Sequence, residues 1–177
     1  MNEDDWIGAA LARHEPALLA YARRLTGDPD AARDVVQDTF LKLCRQARSN
    51  VEPHLAEWLF TVCRNAAHDL HRKGKRMSAL SEDQMAARTA EVEDPASVAA
   101  ASDADGGMLA LLAKLPPRQQ EALRLKFHGG LSYKEIAGVM QTSIGNVGFL
   151  VHVGLRSLRE RMAVEAVRQN EIHGGAA

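Results

Sequence analysis

Residues 77–107, MSALSEDQMAARTAEVEDPASVAAASDADGG, hold no sustained helical period of large apolar residues, and Pro95 and the Gly106-Gly107 pair punctuate them. The run reads as a flexible linker, with a helical turn at most near Asp83–Ala90. Its position leaves two flanks of ~70 residues, near the lower limit for a self-sufficient core. The expected order is a domain over residues 1–76, a linker over 77–107, a second domain over 108–168 and a short polar tail over 169–177.

The division is also electrostatic. The net charge of −1 hides an asymmetry: residues 1–76 carry 12 Lys/Arg against 11 Asp/Glu, residues 77–107 carry 1 against 7, and residues 108–177 carry 9 against 5. An acidic linker with a net charge of −6 thus separates two neutral-to-basic flanks. With 46% apolar and 25% charged residues the chain is globular in composition, and its Ala/Leu abundance and 5% aromatics favour helices. No apolar run approaches the ~18 residues of a membrane span, so no stable membrane insertion is expected. The acidic start Met-Asn-Glu-Asp-Asp does not fit a secretory signal, and two cysteines cannot staple such a scaffold. A cytoplasmic protein is expected.

Helical periodicity fills both flanks, so the fold class is all-α. A first helix over about Asp5–Leu25 places Trp6, Ala10, Leu11, Leu18, Ala22 and Leu25 on one side, and Gly27 stops it. Asp28-Pro29-Asp30 starts a second helix that runs to about Ala47: an Asp cap, Pro at the first position, and an acid near the positive dipole end. Its apolar stripe is Ala32, Val35, Val36, Phe40, Leu43 and Ala47. A loop over residues 49–53 precedes a third helix, about Pro53–Arg72, with the stripe Leu55, Leu59, Val62, Ala66 and Leu70 beside Trp58. In the second flank, Met108–Leu115 and Arg118–His128 are short helices. Ser132-Tyr133-Lys134-Glu135 forms a capping box, a turn follows at residues 142–146, and a longer helix covers Val147 to about Ala166. The last two helices pattern as a helix-turn-helix with a small core of Ile136, Ala137, Val139, Ile144 and Val147. The same pattern fits an ordinary helical hairpin.

Three surfaces are candidate sites. Arg64, His68, His71, Arg72 and Lys75 form a basic stripe suited to phosphates, with Asn65 and Asp69 beside it; a solvated helix end would look similar. Asp34, Gln37, Asp38, Leu41 and Arg45 share the outer face of the second helix, where Leu41 is a large apolar residue in a polar, partly acidic stripe. The helix-turn-helix is the third. His68 and His71 lack further ligands at metal-binding spacing, and Cys44 and Cys63 read as buried small hydrophobes. The sequence has no phosphate-cradling Gly loop, GxSxG or HExxH, and no nucleophile with its base. No catalytic residue, metal or cofactor is expected.

The order of three segments resembles the bacterial sigma-70 family, in its smallest, extracytoplasmic-function branch: RLTGDPDAARDVVQDTFLKLCRQ, then EWLFTVCRNAAHDLHRK, then, past the acidic linker, LPPRQQEALRLKFHGGLSYKEIAGVMQTSIGNV. The resemblance covers nearly the whole chain and implies two helical domains, sigma regions 2 and 4. It implies binding to core RNA polymerase and promoter DNA, without covalent chemistry by this chain, and control by an anti-sigma factor. By the same resemblance, Asp34, Gln37, Asp38 and Leu41 dock on the clamp coiled coil of the largest polymerase subunit. Asn65 reads an extruded minus-10 base, and Arg64, His68 and Arg72 hold nearby phosphates.

For the minus-35 element, family members usually carry Arg or Lys at the positions matching Gly148, Leu150 and Val153, and this chain has none of them. Tyr133, Lys134, Thr142, Ser143 and Asn146 are left for phosphates and the groove edge, Phe149 and His152 for bases, and Arg156 farther along. Phe149, Leu150 and Val151 face DNA, an inhibitory partner or the domain's own core. The alternative function is a helix-turn-helix regulator that binds DNA without polymerase.

Overall fold

The structure, a computed structural model, describes residues 3–81 and 103–174. The expected turn near Asp83–Ala90 lies outside these residues. Among the described residues every regular element is helical. The first domain comprises α1 (Glu3–Thr26), α2 (Pro29–Leu43), a single turn α3 (Arg48–Val51), a 3-10 turn over Glu52–His54, and α4 (Leu55–Ser81). The second comprises α5 (Asp103–Ala113), α6 (Pro117–Phe127), α7 (Tyr133–Met140) and α8 (Ile144–Gly174).

The start of α2 follows the Asp-Pro-Asp logic. Asp28 Oδ1 accepts from the Asp30 and Ala31 amides, both at 2.8 Å, and Pro29 opens the helix. A cap of this kind contributes about 1 kcal/mol. Just before it, Gly27 at φ +70° ends α1 in the left-handed conformation that side chains disfavour. α2 stops at Leu43, four residues earlier than expected. The chain tightens there, Gln46 N–H bonding Leu43 O at 2.9 Å, and Ala47 is extended and exposed rather than part of the buried stripe. Residues 48–54 form short helical turns instead of a loop because Val51 is drawn into the core.

The buried side of α4 is rotated from expectation. Leu59, Phe60, Cys63 and Ala67 are buried, Val62 and Ala66 are half-buried, and Leu70 is exposed. Packing causes the shift. α4 is covered by α1 and α2 on one side and by α7 on another, and Phe60 sits edge-on against Tyr21 with ring centroids 5.3 Å apart. On α1, Leu11 is likewise exposed, while His14 and Tyr21 are buried.

The capping box at α7 forms in full. The Glu135 amide donates to Ser132 Oγ at 3.3 Å, and the Ser132 amide donates to Glu135 Oε2 at 2.7 Å. Those bonds to the carboxylate hold Glu135 below its ordinary pKa. α7 and the first part of α8 meet at 102°, the helix-turn-helix range. Ile136, Ala137, Val139, Met140, Val147, Leu150 and Val151 form the core between them. Ile144 is not part of it. α8 begins three residues earlier than expected, and its first residue stands at the open rim, 52% exposed. At its other end α8 continues through residues 169–174, which the sequence assigns to a polar tail outside the helix. α5 begins at Asp103, inside the expected linker, and runs through Gly106 and Gly107. Among the described residues no single helix is long and apolar enough to cross a membrane.

Candidate nucleic-acid interface

The outer face of α2 is what its inner face leaves over. Ala32, Val35, Val36, Thr39, Phe40 and Leu43 are buried, so Asp34, Gln37, Asp38 and Leu41 point to solvent together. Leu41 is 50% exposed. Nothing in the packing of the domain requires an apolar residue at that position.

On α4 the basic stripe divides. Asn65, His68 and Arg72 are exposed. Among the described residues Arg72 pairs with Asp69 on its own surface at 2.9 Å, a weak exposed pair that can exchange for another anion. Burial first, and the Arg64 charge second, lower the pKa of His68, so near pH 7 it is a neutral hydrogen-bonding ring rather than a cation. His71 turns instead to the carbonyl of Leu25 at the end of α1.

Arg64 departs furthest from expectation. Its Nε donates to Glu121 Oε1 of α6 at 2.8 Å, and the two side chains are only 18% and 14% exposed. Burial works to lower its pKa, but the hydrogen bond and charge of Glu121 outweigh this and hold it above the ordinary value. In this arrangement Arg64 faces the second domain, not solvent.

In the helix-turn-helix, three expected contact residues build the turn. The Asn146 amide donates to Ser143 Oγ at 3.1 Å, which caps α8, and Asn146 Nδ2 donates to Thr142 Oγ1 at 2.9 Å. Leu150 and Val151 face the core. Phe149 points outward, 61% exposed, on a face shared with Gly145, His152 and Arg156. Arg156 pairs with Glu160 at 3.0 Å on the surface. Lys134 is exposed, and Tyr133 lies partly under the Lys126 ammonium, 5.3 Å from the ring centroid.

Residues 10–77 match sigma-70 region 2, and residues 107–158 match sigma-70 region 4. The RNA polymerase sigma factor CarQ of Myxococcus xanthus is 32% identical over 155 residues, 84% of each chain. The ECF RNA polymerase sigma factor SigL of Mycobacterium tuberculosis H37Rv is 34% identical over 154 residues, 82% of each. The chain belongs to the sigma-70 family, in its extracytoplasmic-function (ECF) branch. SigE of Mycolicibacterium smegmatis, another ECF sigma factor, is 32% identical over 154 residues, and this chain spans 59% of its length. Among solved structures, the sigma factor RpoE of Bartonella quintana, in complex with the anti-sigma factor NepR, superposes with a TM-score of 0.58 at 28% identity. The match covers 87% of this chain and 94% of that one. CnrH, bound to the cytosolic domain of CnrY, shares the fold with the same TM-score at 23% identity.

Periodicity missed the residues through which regions 2 and 4 of this sigma factor meet. Tyr21 is paired with Glu121 across 100 positions and Arg24 with Gln120 across 96, and Phe60 lies beside Gly129, separations at which no local spacing rule operates. The one local hint is that Glu121 follows Gln120 on a helix whose other charged residues are basic.

Proposed function

We propose that this sigma factor brings core RNA polymerase to promoters through three surfaces. Asp34, Gln37, Asp38 and Leu41 on α2 dock on the polymerase; a half-exposed leucine among acids suits a protein partner that supplies apolar contact and basic groups. Asn65 on α4 reads an unpaired minus-10 base, with Arg72 and a released Arg64 on its phosphates. Tyr133, Lys134, the start of α8, Phe149, His152 and Arg156 meet the minus-35 duplex. Residues 1–76 and 108–168 are the two binding domains, and the acidic segment 77–107 carries a charge that mimics nucleic acid in the polymerase channel.

The chain works by binding, and the polymerase supplies the chemistry. An anti-sigma factor holds it in reserve, a reading supported by the likeness to a sigma factor solved with NepR. The carrying observation is the ordered match of regions 2 and 4 around helices whose inner faces are committed to the core. Pull-down with core polymerase, followed by transcription from a random promoter library, tests it. Polymerase-dependent initiation with one enriched promoter sequence is expected. DNA binding without polymerase association would overturn it.

A further inference from the structure

Glu121 of region 4 is held by two donors from region 2. Tyr21 Oη donates to Glu121 Oε1 at 2.8 Å, and Arg64 Nε donates to the same oxygen at 2.8 Å. Burial first, then the Glu121 charge, push the Tyr21 phenol up, so it remains a donor at any physiological pH. A tyrosine hydroxyl and a guanidinium converging on one oxyanion are an anion site, whichever anion fills it. The neighbours fix its geometry: Arg24 Nε donates to Gln120 Oε1 at 3.0 Å, and the Gln120 amide donates to the Ala113 and Leu115 carbonyls at 2.9 and 2.7 Å.

The contact is close but not uniformly favourable. Gly138 of α7 lies against Glu57 of α4, so tightly that a Cβ there would collide with the carboxylate. Arg124 is partly buried, its Nε has no hydrogen-bond partner among the described residues, and burial, then the charge of Arg24, lower its pKa. Closure therefore combines one strong ion pair with like-charge pressure beside it, as suits a contact that must open.

We propose that Tyr21 and Arg64 form a phosphodiester site on region 2, and that Glu121 occupies it as an internal stand-in when the two regions are closed. The proposal rests on the reading of Arg64 as a phosphate contact. Closure and single-stranded DNA then compete for one guanidinium, and each weakens the other by the same factor. The apparent DNA affinity of the free chain falls in proportion to its open fraction.

The test uses the full chain. One dye goes on the exposed native Cys44 and one on a cysteine introduced as Arg159→Cys; Cys63 is buried, its thiol pushed up to about 12, and stays unlabelled. Glu121→Gln keeps the shape and removes the charge. It should raise the open-to-closed ratio roughly tenfold, the difference between a charge-assisted and a neutral hydrogen bond. Energy transfer should fall, and affinity for a random-sequence 12-nucleotide single strand should rise. Gly138→Glu, which repels Glu57 and touches neither donor, should do the same. Adding Arg64→Gln to Glu121→Gln should abolish the gain in affinity while the dyes stay apart. Unchanged transfer in both Glu121→Gln and Gly138→Glu overturns the closure. Opening with an affinity that Arg64→Gln does not reduce overturns the phosphate reading of Arg64, and with it the stand-in role.

Discussion

Leu41 on α2 and Phe149 on α8 are both large, apolar and at least half exposed, on helices whose opposite faces are buried. Their surroundings differ. Leu41 stands among Asp34, Gln37 and Asp38, and Phe149 among Gly145, Gly148 and His152. An acidic surround repels nucleic acid and favours a protein with basic groups around an apolar socket. Gly145, Gly148 and His152 carry no carboxylate, and on a domain that also exposes Lys134 and Arg156 such a surround tolerates phosphates. Exposure alone assigns neither site; the charge around the apolar residue separates a polymerase contact from a DNA contact.

The comparison breaks most directly at Leu41 and Leu43, two positions apart on α2. Leu43 is fully buried, so Leu43→Ala should cost about 2–5 kcal/mol of stability. Leu41→Ala should stay within about 0.5 kcal/mol, as surface changes do. Urea unfolding of both variants measures the difference. A comparable loss at Leu41 would make the outer face of α2 structural.

The next effect is on assembly. Leu41→Asp and Asp38→Arg should weaken binding of core polymerase by a few kcal/mol, about a hundredfold, while the unfolding midpoints stay near wild type. Fluorescence anisotropy of the labelled sigma factor against core enzyme reads it. Normal assembly by both variants removes the docking assignment.

Much of this site was legible in the sequence because it depends on local rules. The Asp28 cap, the Ser132–Glu135 capping box and the outward set on α2 follow from spacing alone. Helix ends were less legible: α2 stops at Leu43 and residues 48–51 coil because Val51 must be buried, a demand of tertiary packing. The rotation of α4 toward Phe60 comes from packing on Tyr21 of α1 and on α7, and the capture of Arg64 by Glu121 comes from contact with the other domain, none of which a window on α4 contains. The uncertainty at Phe149, Leu150 and Val151 was one of helix phase. With α8 starting at Ile144, Leu150 and Val151 turn inward and Phe149 outward.

On the DNA side, Asn65 is exposed beside Arg72 on a helix whose buried residues are Leu59, Phe60, Cys63 and Ala67. Asn65→Ala should therefore leave stability intact and act after strand separation, when a base is available to the amide. Open-complex formation should lose roughly 1–3 kcal/mol, as base-edge contacts do, with duplex capture nearly unchanged. Permanganate reactivity measured beside gel shift separates the two steps. Equal loss in both assays would assign Asn65 a structural role.

The smallest effect probes the uncharged half of the comparison. Gly145, Gly148 and Phe149 offer no side-chain donor to a base, so bidentate Arg-to-guanine readout is missing from the first turns of α8. What Phe149 can offer is apolar contact with thymine methyls, each worth about 0.8 kcal/mol if fully buried. Replacing minus-35 thymines by uracils should then reduce holoenzyme binding by a few-fold per contacted methyl, as much as mutating a guanine of that element. Phe149→Ala should make the same templates equivalent, because the group that senses the methyl is gone, and should leave the unfolding midpoint unchanged because the ring is 61% exposed. A wild-type holoenzyme indifferent to uracil, together with a Phe149→Ala protein that unfolds early, would place the ring in the fold and leave the duplex to Lys134, His152 and Arg156.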